Sequence, residues 1–94
     1  LRKGKRVELE IMHALRDAGF DAQKISRAYC SGPDLRLKLV SSDFRVEVKA
    51  RADGFKQLYG WLAGADMIVM RADSKKPIVA LSWDMALALF RSAK

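Results

Sequence analysis

Asp34, Glu47 and Lys49 are residue types that can hold a divalent cation and steer a water beside it. They belong to a stretch, residues 32–51, that opens Gly-Pro-Asp, continues as an apolar and basic run, and closes on Glu-Val-Lys-Ala-Arg. Alternation predicts two strands there. In the first, Leu35, Leu37 and Leu39 point one way, and Asp34, Arg36 and Lys38 the other. In the second, Phe44, Val46, Val48 and Ala50 share a face opposite Arg45, Glu47 and Lys49. Ser41-Ser42-Asp43 is a turn-rich gap between them. Pairing Val40 with Asp43 across a tight turn gives an antiparallel hairpin, one face apolar and one charged, with Asp34 opposite Lys49 and Arg36 opposite Glu47. Asp34 and Glu47 then become diagonal neighbours, their backbones roughly 7–8 Å apart. Carboxylates that close repel unless something positive lies between them, and a divalent metal or Lys49 could fill that place. The plainer alternative is a solvated hairpin face of mixed charge.

A further carboxylate comes from the first helix, predicted over residues 4–18. Val7, Ile11, Leu15 and Ala18 form its apolar stripe, and Gly19 stops it. Glu8 sits one turn before Ile11 and Met12 and so borders the buried face. Glu10 aligns with His13, Ala14 and Asp17 on the solvent side. A carboxylate on the core side is costly unless it meets a cation or a hydrogen-bond donor. That cost singles out Glu8. His13, the one histidine, reads as a surface residue.

Together, Gly4-x-x-x-Glu8, Pro33-Asp34 and Glu47-x-Lys49 resemble the signature of the PD-(D/E)XK nuclease superfamily. Within it the chain is most similar to the archaeal Holliday-junction resolvases and their phage and bacterial relatives. The likeness includes the opening Arg2-Lys3-Gly4, the Gly19-Phe20 pair after the first helix and a basic, serine-containing loop. It covers nearly the whole chain and is strongest up to Arg51. The resemblance implies a mixed α/β fold with a restriction-endonuclease-like core: a central mixed sheet flanked by helices, in the order α-β-β-β-α-β-β-α. It also implies a single nuclease domain over residues 1–94.

The implied activity is metal-dependent DNA endonuclease chemistry. Asp34 and Glu47 would bind Mg²⁺ or Mn²⁺ through oxygen ligands, joined by the backbone carbonyl of Val48, with waters completing the octahedron. Glu8 would hold an outer water or a second metal. Lys49, a compact point charge, would orient the attacking water and stabilise the transition state. The implied DNA contacts are Arg2, Lys3, Lys5, Arg27, Ser31, Arg51 and Gln57. The implied partner is branched DNA, bound by a homodimer whose two sites cut two strands symmetrically. Flaps, nicked duplex and single strands remain alternative substrates, and a non-catalytic DNA-binding module is the third reading.

The composition fits a polyanionic partner. The 94 residues carry 18 lysines and arginines against 11 acids, a net charge of +7. Half the residues are hydrophobic, enough for one small core. Cys30 is the single cysteine, so there is no internal disulfide framework, and an intracellular, cytoplasmic setting is expected. No run approaches the length of a membrane span, and no membrane partner is expected. Basic residues opening the first helix oppose its dipole, which suggests a partner phosphate.

The remaining elements follow in order. Residues 21–28 read as an edge or partly exposed strand, leading into a loop that holds Tyr29 and Ser31. Asp53 is expected to cap a helix over 54–63, with Phe55, Leu58, Trp61 and Leu62 facing the core. Gly60 inside that helix suggests close approach of another segment. The run Met67-Ile68-Val69-Met70 reads as a buried strand, and residues 77–81 as the next strand. Ser82 is expected to cap a last helix over 83–92, apolar enough to suggest a dimer interface.

Overall fold

The computed structural model describes residues 3–25 and 34–93. Its elements run α1 (Lys3–Asp17), β1 (Asp21–Lys24), β2 (Leu35–Leu39), β3 (Ser42–Val46), α2 (Lys56–Leu62), β4 (Met67–Met70), β5 (Ile78–Leu81) and α3 (Trp83–Ala93). The class is mixed α/β and the order is the expected one. The strands fall into two antiparallel sheets, β1-β2-β3 and β4-β5, where the resemblance implied one central mixed sheet. The chain divides into two compact units, residues 1–50 with 93–94, and residues 51–92.

The first unit holds the core. Leu35, Leu37 and Leu39 of the middle strand are 0%, 3% and 8% exposed, as their alternation requires. They are joined by Ala22 from β1 and by Phe20, Met12 and Leu15. On α1 the buried residues are Glu8, Met12 and Leu15, at helical spacing. The expected stripe of Val7, Ile11 and Ala18 is only half-buried, so the helix is rotated by about one residue from that expectation. The helix stops where glycine permits it. Gly19 has φ 96°, its N–H donates to Arg16 O at 2.9 Å, and the Phe20 N–H donates to Leu15 O at 3.0 Å. This is the paired 5→2 and 6→1 closure of a left-handed cap, with Leu15 and Phe20 both buried. The Arg16 Nε reaches the Ala22 carbonyl at 2.7 Å and ties the helix end to β1.

The hairpin register differs from the expected one. Leu39 pairs with Ser42, Lys38 with Asp43, Arg36 with Arg45 and Leu35 with Val46. The turn residues are therefore Val40 and Ser41, and Val40 takes φ 59°. Ser42, expected in the turn, opens β3 instead, and Asp43, expected opposite Val40, pairs with Lys38. In this register Lys38 lies across from Asp43 on one side and from Asp21 on the other. Arg36 is pulled from the facing Arg45 toward Asp43, 3.9 Å away, and receives help from Gln23, to which it donates a hydrogen bond. β1 is an edge strand, as expected, with only Ala22 buried.

The second unit contains α2, β4, β5 and α3, and none of its described residues is buried. Met67 and Val69 are 46% and 64% exposed, so β4 is not the buried strand that its apolar run suggested. It pairs with β5 from Met67–Leu81 to Met70–Ile78, which leaves both faces of a two-stranded ribbon apolar. α2 begins at Lys56 without a side-chain cap, and Asp53 forms an exposed ion pair with Lys56 at 3.7 Å rather than capping the helix. A Cβ placed at Gly60 meets nothing within 4 Å, so no close approach among the described residues explains that glycine. Ser82 caps α3 as expected, its Oγ accepting from the Met85 N–H at 3.2 Å. An open cleft of about 630 Å³ lies between α2 and the β5–α3 segment, lined by Phe55, Leu58, Leu62, Leu81 and Trp83. No described helix is long and apolar enough to cross a membrane.

Candidate active site

Asp34 stands one residue before β2 and joins three segments. Its carbonyl accepts from the Ile25 N–H at 3.0 Å, and its N–H donates to Val46 O at 2.9 Å. Its carboxylate Oδ2 accepts from the Val48 N–H at 2.7 Å, a short charge-assisted bond in a part-buried setting. Both sequence neighbours of Glu47 are therefore bonded to Asp34. The register explains why. With Leu35 paired to Val46, the next step along the ladder brings Asp34 across from Glu47, not from Lys49 as the expected register had it.

Glu47 and Lys49 follow β3, beyond the ladder. Their side chains are 55% and 59% exposed and form an ion pair at 3.6 Å. Val46 and Val48, between and beside them, are half-buried, so the alternation of the sequence persists past the end of the strand. Asp34 Oδ2 is occupied by the Val48 amide, while a carboxylate has lone pairs for other partners on both oxygens. Mg²⁺ is held by one or two protein carboxylates and several waters, a donor type that Asp34, Glu47 and the Val48 carbonyl would supply. No group of three or more His, Cys, Asp or Glu suited to a metal ion occurs among the described residues.

Glu8 is the one buried charged residue of the described core, at 8% exposure. Its partner is Lys24, whose Nζ lies 4.0 Å from Oε1. Lys24 is paired across the ladder with Leu35, so it stands on the leucine face of the sheet, at its end. The distinction drawn between the two helix glutamates holds in burial: Glu10 is 65% exposed in its side chain and pairs with Arg6 at 3.9 Å, one turn back. His13 is exposed. Lys24 was not among the residues singled out from the sequence. The signal for it was present, because Lys24 shares strand parity with the buried Ala22, and a core-side lysine is what a core-side glutamate requires.

The expected DNA contacts that are described fall in both units. Lys3 and Lys5 lie in the first turn of α1, and Lys5 is exposed. Arg51 and Gln57 belong to the second unit and are exposed. Arg2, Arg27 and Ser31, like Tyr29, Cys30 and Pro33, lie outside the described residues. No family model, curated protein or solved structure matches the chain.

Proposed function

We propose that this chain is a metal-dependent DNA endonuclease of the PD-(D/E)XK kind that hydrolyses phosphodiester bonds in branched DNA. The observation that carries the reading is the clasp around Glu47. Asp34 is bonded to both residues flanking that glutamate, and Lys49 pairs with it. Two carboxylates and a lysine therefore gather at the end of one sheet. Asp34, Glu47 and the Val48 carbonyl would hold Mg²⁺ or Mn²⁺, which when bound supplies Lewis acidity toward a water and the phosphate. Lys49, exposed on a flexible four-carbon stem, orients the water and offsets charge on the phosphate oxygens. Glu8 would hold an outer water or a second metal at the border of the core, where Lys24 Nζ lies 4.0 Å from its Oε1.

Cutting of paired strands at a junction follows if two copies associate about a two-fold axis. The exposed Trp61, Met67, Val69, Ile78, Trp83 and Leu89 of the second unit supply apolar surface for such an association. DNA chemistry together with a single cysteine suits an intracellular setting.

One observation favours a second reading, a DNA-binding module without catalysis. Asp34, Glu47 and Glu8 each already have an internal partner, the Val48 amide, Lys49 and Lys24. The test is cleavage of a four-way junction beside matched linear duplex and single strand, with Mg²⁺, Mn²⁺ or EDTA, and with Glu47→Gln as control. Paired, metal-dependent cuts in the junction alone support the resolvase reading. Cuts in every substrate leave a nuclease without junction choice. Binding with no cleavage under any metal leaves the second reading.

A further inference from the structure

Some of the described cations of this chain are answered by carboxylates. Arg6, Lys24, Arg36, Lys49 and Lys56 each have an acidic partner within 4.0 Å. Lys38 and Arg45 form no ion pair with a described residue, but on their sheet face they are interleaved with Asp21 and Asp43. The turn joining β4 to β5 gathers three cations on one short exposed segment. Residues 71–77 are all exposed and carry Arg71, Lys75 and Lys76 against one acid, Asp73. Among the described residues, none of these four side chains has an ion-pair partner.

The turn is also fixed. The Lys75 N–H donates to Ala72 O at 3.2 Å, closing a β-turn with Ser74 at φ 63°. The Lys75 carbonyl accepts from Arg71 Nε at 3.1 Å. Both backbone groups of Lys75 are thus engaged, and Arg71 spends its Nε on the loop while the two terminal nitrogens of its guanidinium keep their donors. Pro77 removes one backbone donor and sets φ just before β5. Cations held on a fixed turn sacrifice less entropy on meeting a partner than cations on a loose segment. Their spacing along a backbone, with no apolar side chain between Arg71 and Pro77 larger than alanine, suits a row of phosphates rather than an acidic protein pocket.

We propose that the 71–77 turn is a contact for the phosphate backbone of a nucleic acid, made by Lys75, Lys76 and Arg71 and independent of base sequence. This rests on DNA being the partner, and not on the chain cutting it.

The test is the salt dependence of DNA binding, measured by fluorescence anisotropy on a labelled duplex in EDTA, so that cleavage does not intervene. Removing one cation from a phosphate makes the slope of log K against log salt shallower by about 0.9 on duplex DNA. Lys75→Gln with Lys76→Gln should therefore make it shallower by about 1.8. Lys75→Arg with Lys76→Arg should leave it near the parent value, and Lys56→Gln, at a cation already paired with Asp53, should not change it. An unchanged slope in the double Gln variant overturns the proposal. So does an equal change in Lys56→Gln, which would mean only a general reduction of charge. Weakened binding to phosphatidylserine vesicles with the DNA slope intact overturns it in favour of a membrane contact. If the parent binds DNA with the expected slope change but cuts nothing, the turn contact stands and the nuclease reading falls. Failure of the parent to bind DNA at all removes both.

Discussion

Val40 offers a direct test of the register that brings Asp34 to Glu47. It occupies the first position of the β2–β3 turn with φ 59°, and its side chain is 68% exposed. A β-branched residue in the left-handed region costs roughly 1–2 kcal/mol relative to the right-handed one. Glycine removes that cost, but the greater freedom of its unfolded chain takes back about 0.5–1 kcal/mol. With so little of Val40 buried, the substitution sacrifices little packing. Val40→Gly should therefore stabilise the protein by about 0.5 kcal/mol, and Val40→Asn, which tolerates this region without glycine's entropy, by about 0.5–1 kcal/mol. The assay is urea unfolding, read as a higher midpoint at unchanged slope. In thermal melts the same gain is a rise of roughly 4–8 °C per kcal/mol for a unit of this size. Destabilisation by both substitutions would refute the reasoning. It would return Val40 to a strand pairing with Asp43, where glycine and asparagine are poor residues. Asp34 would then lie across from Lys49, and the clasp around Glu47 would be absent.

Three further outcomes are expected. Asp34→Asn keeps an acceptor for the Val48 N–H, so it should retain fold and DNA binding while abolishing cleavage; Asp34→Ala should in addition reduce stability by about 1.5–3 kcal/mol in urea unfolding, the worth of a hydrogen bond to a charged group. Glu8→Gln should slow cleavage on the order of 10²-fold, and Glu10→Gln should leave the rate near the parent's in the same assay, because only Glu8 faces the core. Gly60→Ala should stabilise α2 by up to about 1 kcal/mol if that face is free in solution, whereas weaker self-association in sedimentation would show that the glycine admits a second copy.

The sequence made the faces of the hairpin legible and left its register open, for a definite reason. A slip of one residue would send every leucine of β2 to solvent, so hydrophobic patterning forbids it. A slip of two residues preserves every face. Pairing Val40 with Asp43 and pairing Leu39 with Ser42 both bury Leu35, Leu37 and Leu39, and both leave a two-residue turn. Turn chemistry favours the first, since serine is a better turn residue than valine. The structure adopts the second, in which Lys38 lies between Asp21 and Asp43 instead of facing Arg45, and Asp34 bonds the β3 strand end. Those gains depend on β1 and on a carboxylate capping an amide beyond the ladder, neither of which alternation within the hairpin reports. The same limit applies to β4. Met67-Ile68-Val69-Met70 carries a strong strand signal, but burial depends on what covers a strand. α2 and α3 leave residues of both ribbon faces exposed.

Glu8 shows how much of a residue's surroundings can be read when a cost is attached to a position. Its place on the helix required a cation, and Lys24 supplies one from the core face of the adjoining sheet. Asp34 is the harder case, because its structural role and the chemical role proposed for it use the same carboxylate. The bond from the Val48 N–H draws on Oδ2 and fixes the orientation of the group, and a fixed carboxylate beside a second one is what a cation site needs. Holding the Val48 N–H also ties the peptide between Glu47 and Val48 to Asp34. The residue that closes the sheet thereby sets where Glu47 and its neighbouring carbonyl stand. The two roles reinforce each other: loosening the clasp would cost stability first and the geometry of Glu47 with it. Separating them requires comparing asparagine, which keeps the clasp and removes the charge, with alanine, which removes both.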